Sequence, residues 1–189
     1  MYIDMEAQYA DTIKHCKEMF QLYKDNIDPH WICIPMRLRN ALTNYEPQWI
    51  AWDPERESDW IRPMPHGCKG VKDYPFIFDE MNDGMEFEEF VPEFGHWYAG
   101  GRLTACFVGI RADESLNRYR TIAKKNKSMF FGKQWTTYVG KTVYNAYPIY
   151  DWQTADIWRY NGKYNKPYNR LYDYMHKAGL SIHQARICQ

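Results

Sequence analysis

The sequence predicts an α/β domain with a mostly parallel sheet, and three observations predict it. Short apolar runs that suit buried strands alternate with stretches whose apolar residues recur every three or four positions. Glycines and cap-forming residues stand at the joints between them. Around Gly100-Gly101 the order is helix, glycine turn, strand, helix, the alternation that builds parallel sheets through right-handed crossovers.

Taken in order, residues 1–4 read as the tail of a strand, with Asp4 and Glu6 at the place where an α/β sheet shows its ligand edge. Tyr9, Ile13, Cys16, Phe20 and Tyr23 recur at helical spacing, which predicts a helix over 8–24. Residues 30–35 suit a second buried strand, and 36–42 a short helix. Residues 44–75 are rich in tryptophan, proline and charge without a clean period, and read as a long irregular insertion of the kind that often forms lids. Within it His66 and Cys68 could donate to a metal, but no matching second pair follows, and the neighbouring Pro63, Pro65 and Gly67 look like turn chemistry. Phe87, Phe90, Val91, Phe94 and Trp97 predict a helix over 84–99, adjusted by Pro92 and ended by Gly100-Gly101.

The most informative stretch runs from Thr104 to Arg118. Ala105 to Ile110 suits a buried strand, and Arg111 arrives where that strand ends. Asp113, Glu114 and Ser115 are helix-start residues, and Ser115 shares a face with Arg118 three positions on. A strand thus delivers one guanidinium, and the next helix adds a hydroxyl and a second guanidinium beside its free N–H groups. That combination suits an anion. A surface pair between Glu114 and Arg118, worth about 0.3 kcal/mol, explains the same spacing.

Beyond Arg118 the helix is expected to reach about residue 125. Lys124, Lys125, Lys127 and Lys133 then cluster across a loop, interleaved with Trp135, Tyr138 and Tyr144. Basic and aromatic residues together can grip a phosphate backbone, although lysines on a solvated loop are the simpler account. Ile149 is read as a strand end, with the acidic and hydroxyl residues after it starting a helix that Ile157 and Trp158 pack back. Thr154 or Asp151 could cap that helix in place of Gln153. Leu171, Tyr174 and Met175 share a face of a last helix that Gly179 stops.

The bounds on function are broad. The chain has 189 residues, enough for one domain over 1–189 with a proper core. Basic and acidic residues number 24 each, so no global charge argues for nucleic acid or membrane. Five scattered cysteines, Cys16, Cys33, Cys68, Cys106 and Cys188, with no C-x-x-C, favour a reducing, cytoplasmic setting over a disulfide scaffold. No apolar run approaches the ~20 residues that a membrane span needs, and no signal segment follows Met1.

Two motifs carry a resemblance. Gly109-Ile-Arg-Ala-Asp-Glu-Ser-x-x-Arg118 resembles the G-x-R-x-x-E/Q-S-x-x-R signature of the phosphoadenosine-phosphosulfate (PAPS) reductase family, within the adenine-nucleotide alpha hydrolases or PP-loop group. Pro148, Ile149, Asp151, Trp152, Asp156, Ile157 and Trp158 resemble that family's P-I/L-x-D-W-T-x-x-D-V/I-W, with Gln153 where threonine is usual. Asp4, Glu6 and Thr12 are similar to its D-x-E-x-x-x-x-x-T turn. The nearest likeness is to larger bacterial and phage proteins, some described as prophage co-activators.

The resemblance implies a Rossmann-like three-layer α/β/α fold that binds an adenine nucleotide, PAPS or ATP. Arg111, Glu114, Ser115 and Arg118 would meet the phosphate or sulfate. Asp4 or Glu6 would lie near the nucleoside or an Mg²⁺ ion. The family's S-G-G-K-D-S loop and C-terminal E-C-G-x-H segment have no counterpart in this sequence, and Cys188 lacks the latter's context. The fold is therefore expected to be truncated at both ends, with weak or no independent catalysis and a protein partner that could supply the loop. The alternative is a non-catalytic phage or prophage regulatory protein that binds nucleic acid or a protein partner.

Overall fold

The computed structural model describes residues 1–40, 44–76 and 84–187. The expected Cys188 and the end of the helix expected over 36–42 lie outside the described residues. The chain divides into two compact units, Met1–Phe94 and Gly95–Gln189.

In the first unit, strand β1 (Tyr2–Ile3) pairs in parallel with β2 (Trp31–Ile32), joined by helix α1 (Ala10–Leu22). The parallel ladder extends through a bridge from Ile32 to Lys69. Helix α1 turns Ile13, Cys16 and Phe20 to the core, while Tyr9 and Tyr23 at its ends are exposed. Residues 36–39, expected to be helical, form strand β3 (Met36–Arg39), antiparallel to β4 (Gln48–Ala51). The reason is tertiary. Met36 is fully buried, and the alternating pattern Met36, Leu38 finds partners in Ala51 and Trp49, which overrides a weak local preference.

The insertion over 44–75 is more ordered than its sequence suggests. It contributes β4 and two 3₁₀ turns (Pro54–Asp59 and Val71–Asp73). It also sends Trp52 and Tyr74 into the core, each at most 1% exposed. Burying each such aromatic contributes roughly 2–3 kcal/mol. Helix α2 (Phe87–Ala99) begins in this unit, and Phe90 and Phe94 close the core against Tyr74 at ring separations of 5.8 Å.

The second unit carries a three-stranded sheet in the order β5 (Thr104–Phe107), β7 (Val143–Ala146), β6 (Thr136–Gly140). The β5–β7 pair is parallel and the β6–β7 pair is a hairpin. Helix α3 (Leu116–Ala123) lies between β5 and β6, and helices α4 (Thr154–Lys163) and α5 (Leu171–Lys177) follow β7. Gly140 needs its glycine: φ is +146°, and a Cβ would meet His96 Nε2 at 2.9 Å. Strand β7 stops at Ala146, not at Ile149. Pro148 has no N–H for a ladder, and Tyr147 instead accepts from Tyr150 N–H at 3.2 Å in a turn.

Among the described residues the fold is thus mixed α/β, with small separate sheets of two, two and three strands. No helix among the described residues is long and apolar enough to cross a membrane.

Candidate functional site

In the second unit the ladder of β5 continues to Val108, whose N–H donates to Ala146 O at 2.9 Å. Gly109 and Ile110 then carry the chain off the sheet to Arg111. The Arg111 N–H donates to Glu114 Oε2 at 3.1 Å, which closes the turn. Ser115 caps α3, accepting from the Arg118 N–H at 3.2 Å. That cap sets the helix direction and brings the Arg118 side chain back over Glu114.

Arg111 is mostly buried, with 11% of its side chain exposed. Its Nη1 donates to Thr154 Oγ1 at 3.2 Å and lies 3.6 Å from Asp113 Oδ2. Its Nη2 lies 3.4 Å from Glu114 Oε1. Arg118, 48% exposed, donates through Nη1 to Glu114 Oε2. One carboxylate therefore sits between two guanidiniums, one oxygen toward each. Thr154, the first residue of α4, donates both its N–H and its hydroxyl to Asp113 Oδ2 at 3.2 and 3.3 Å. Asp113 so ties the start of α4 to the turn that holds Arg111. Arg186 adds a third cation, donating to the Glu114 backbone oxygen at 3.1 Å.

Gln153 is the cap position of α4, and its N–H is satisfied by Asp156 Oδ2 at 2.9 Å. Of the two expected substitute caps, Thr154 instead serves the Arg111–Asp113 network. The involvement of Asp113, Thr154 and Arg186 was not readable from local spacing, because their partners lie about 40 to 70 residues away in sequence.

In the first unit Asp4 and Glu6 are buried at 0% and 4% exposure. Asp4 Oδ2 accepts from Trp31 Nε1 at 2.8 Å, and Oδ1 accepts from the Glu6 N–H at 3.0 Å and from Arg62 Nη2. Glu6 Oε2 accepts from the Trp52 N–H at 2.8 Å, and Oε1 from the Ile61 N–H at 2.9 Å. The backbone oxygens of both residues also accept, from Trp52 Nε1 at 2.6 Å and Arg62 Nε at 3.0 Å. Glu6 holds this geometry at φ +64°, an uncommon conformation for a non-glycine residue. These carboxylates face N–H donors and a guanidinium, surroundings that do not suit a cation. Among the described residues no three His, Cys, Asp or Glu side chains converge as a metal site would need. Sequence spacing offered no signal for Arg62 or the two tryptophans as their partners.

Comparison with known proteins bears on this geometry. Residues 68–177 match the phosphoadenosine phosphosulfate reductase domain, which takes in Arg111 to Arg118 and Thr154 but not Asp4 or Glu6. The chain is 40% identical over 192 residues to the uncharacterized protein YbdN of Escherichia coli K12, an alignment spanning 100% of this chain and 46% of the relative. It is 39% identical over 173 residues to the uncharacterized protein MJ0066 of Methanocaldococcus jannaschii, covering 92% of this chain and 28% of that protein. The chain therefore spans less than half the length of these relatives. No solved structure matches it. The chain belongs to the phosphoadenosine phosphosulfate reductase domain family.

Proposed function

We propose that this chain binds an adenine nucleotide, PAPS or ATP, and that Arg111 and Arg118 receive its phosphate or sulfate oxygens. The observation that carries this reading is Glu114, a carboxylate held with one oxygen toward each guanidinium. Two oxygens of a phosphate or sulfate would take the same donors, with Ser115 at the start of α3 beside them. Arg118 holds Glu114 only weakly, whereas the Arg111 N–H and Nη2 hold it more firmly. An exposed pair such as Arg118–Glu114 is worth at most about 0.5 kcal/mol, so an incoming anion of higher charge displaces Glu114 from Arg118 first.

Asp113 and Thr154 act as positioning residues that hold the Arg111 guanidinium. Asp4 and Glu6 shape the first unit's turn, and we assign them no direct contact with the nucleotide. The fold we propose is a Rossmann-like three-layer arrangement, and we propose weak or no independent catalysis for this chain.

Isothermal titration of PAPS and of ATP into the chain tests this. Arg111→Ala is expected to weaken binding roughly tenfold or more, the loss of a charge-assisted hydrogen bond. Equal affinity for Arg111→Ala and the unaltered chain, or no heat with either nucleotide, would overturn the reading.

A further inference from the structure

One stretch of the second unit has a charge balance unlike the rest of the molecule. Between Ser115 and Tyr150 there are seven lysines and arginines and no aspartate or glutamate. The chain has 24 residues of each sign, so everything outside this stretch is seven charges negative. Lys124, Lys125, Lys133 and Lys141 are exposed, and among the described residues no carboxylate pairs with them. Lys127 is different. Its ammonium donates to Ile122 O at 2.8 Å and rests over the Tyr147 ring, so it braces the loop.

The same stretch carries a row of rings. Tyr138 on β6 and Tyr144 on β7 are register partners, with centroids 5.3 Å apart. Phe130 packs on Tyr144 at 5.1 Å, and Phe131 on Phe130 at 4.6 Å. The parallel register pairs Ala105 with Tyr144 and Phe107 with Ala146, which puts Phe107 on the sheet face that carries Tyr144. Among the described residues nothing buries the outermost rings. Phe131 is 86% exposed and Phe107 is 76% exposed. Phe131 also adopts φ +45°, a conformation that costs a non-glycine residue and gains it no burial here.

We propose that this sheet face binds a single-stranded nucleic acid. The bases stack on Phe131, Tyr138 and Phe107, and the exposed lysines meet the phosphates. Lysines alone would suit any polyanion, but a row of exposed rings is used when base faces are open, as they are in a single strand and not in a duplex. An anionic lipid surface would engage the turn at Phe131 and leave the half-exposed Tyr138, which lies on the sheet, unused. The rings and lysines named here include none of the side chains of the Arg111–Arg118 anion site, so either proposal can fail without the other.

The test is fluorescence anisotropy with a labelled oligouridylate and a labelled oligothymidylate. A duplex of equal length and phosphatidylserine vesicles serve as the contrasts. Single strands are expected to bind more tightly than the duplex. Phe131→Ala should weaken single-strand binding roughly tenfold, the usual loss for one stacked base. It should leave PAPS binding unchanged. Because Phe131 is so exposed, the variant should keep its circular dichroism spectrum and melting temperature. Replacing Lys124 and Lys125 with glutamine should flatten the dependence of log affinity on log salt by roughly 0.7 per lysine. Three results would overturn the proposal: no oligonucleotide binding at low salt, binding indifferent to Phe131→Ala, or capture by vesicles without oligonucleotide binding.

Discussion

Asp4 and Glu114 each accept a hydrogen bond from an arginine side chain, Asp4 from Arg62 and Glu114 from Arg118. Their surroundings separate them. Asp4 is fully buried and also accepts from Trp31 Nε1 and the Glu6 N–H, so its removal would strand three donors in a core. Glu114 has 20% of its side chain exposed and also takes the Arg111 N–H and Nη2, but Arg118 is about half exposed, so water can replace the Arg118 arm of the contact at little cost. The same pairing is fixed architecture in the first unit and an exchangeable contact in the second. The difference lies in desolvation. A buried ion pair is expensive to break because each charge needs the other, while an exposed one is held by little more than geometry.

The largest expected effect is therefore at Asp4. Asp4→Ala should destabilise the chain by roughly 3 kcal/mol, the usual range for breaking a buried pair, reduced because Arg62 keeps some access to water. Urea denaturation measures it, and a loss below about 1 kcal/mol would remove the contrast between the two clusters. Next comes Glu6→Ala, which leaves the Trp52 and Ile61 amides without their acceptors. It should cost about 2 kcal/mol by the same measurement.

A smaller effect is expected on raising the pH. Burial is the main cause that pushes the Cys33 thiol above its ordinary value of 9.0, and the Asp4 charge adds to it. The unfolded chain then loses the Cys33 proton first. Stability from this group is complete below pH 9 and declines as pH rises beyond it. Urea midpoints measured on either side of pH 9 should show that decline, and Cys33→Ala should reduce its slope. The smallest effect is at Arg118. Arg118→Ala should change stability by no more than about 0.5 kcal/mol. A change approaching that of Asp4→Ala would mean that the Glu114 contact is structural as well.

Much of this contrast was hidden from the sequence, for a physical reason. The turn after β5, with Arg111, Glu114, Ser115 and Arg118 gathered together, was legible because those residues lie within eight positions and a helix cap fixes their relative directions. Asp4 and Glu6 were legible as an acidic turn. Their partners Trp52, Ile61 and Arg62 come from a segment more than 40 residues on that has no periodic pattern. That segment, expected to be irregular, turns inward because Trp52 and Tyr74 have a core to fill. Strand β3 is illegible for the same reason: a four-residue element is decided by its partner β4, not by its own propensities. The β6–β7 hairpin likewise went unread. Tyr138 and Tyr144 read as interleaved aromatics, and the turn between their strands, Lys141-Thr142 after Gly140, carries no standard hairpin dipeptide.

The exchangeable nature of Glu114 is the claim on which the functional reading stands, and one titration addresses it directly. PAPS is titrated into the unaltered chain and into Glu114→Gln, which keeps the side-chain shape but removes the competing charge. Glu114→Gln should bind PAPS more tightly, by roughly threefold to tenfold, because the guanidiniums no longer have to release a carboxylate first. Equal or weaker binding by Glu114→Gln would show that the two arginines do not exchange Glu114 for the nucleotide.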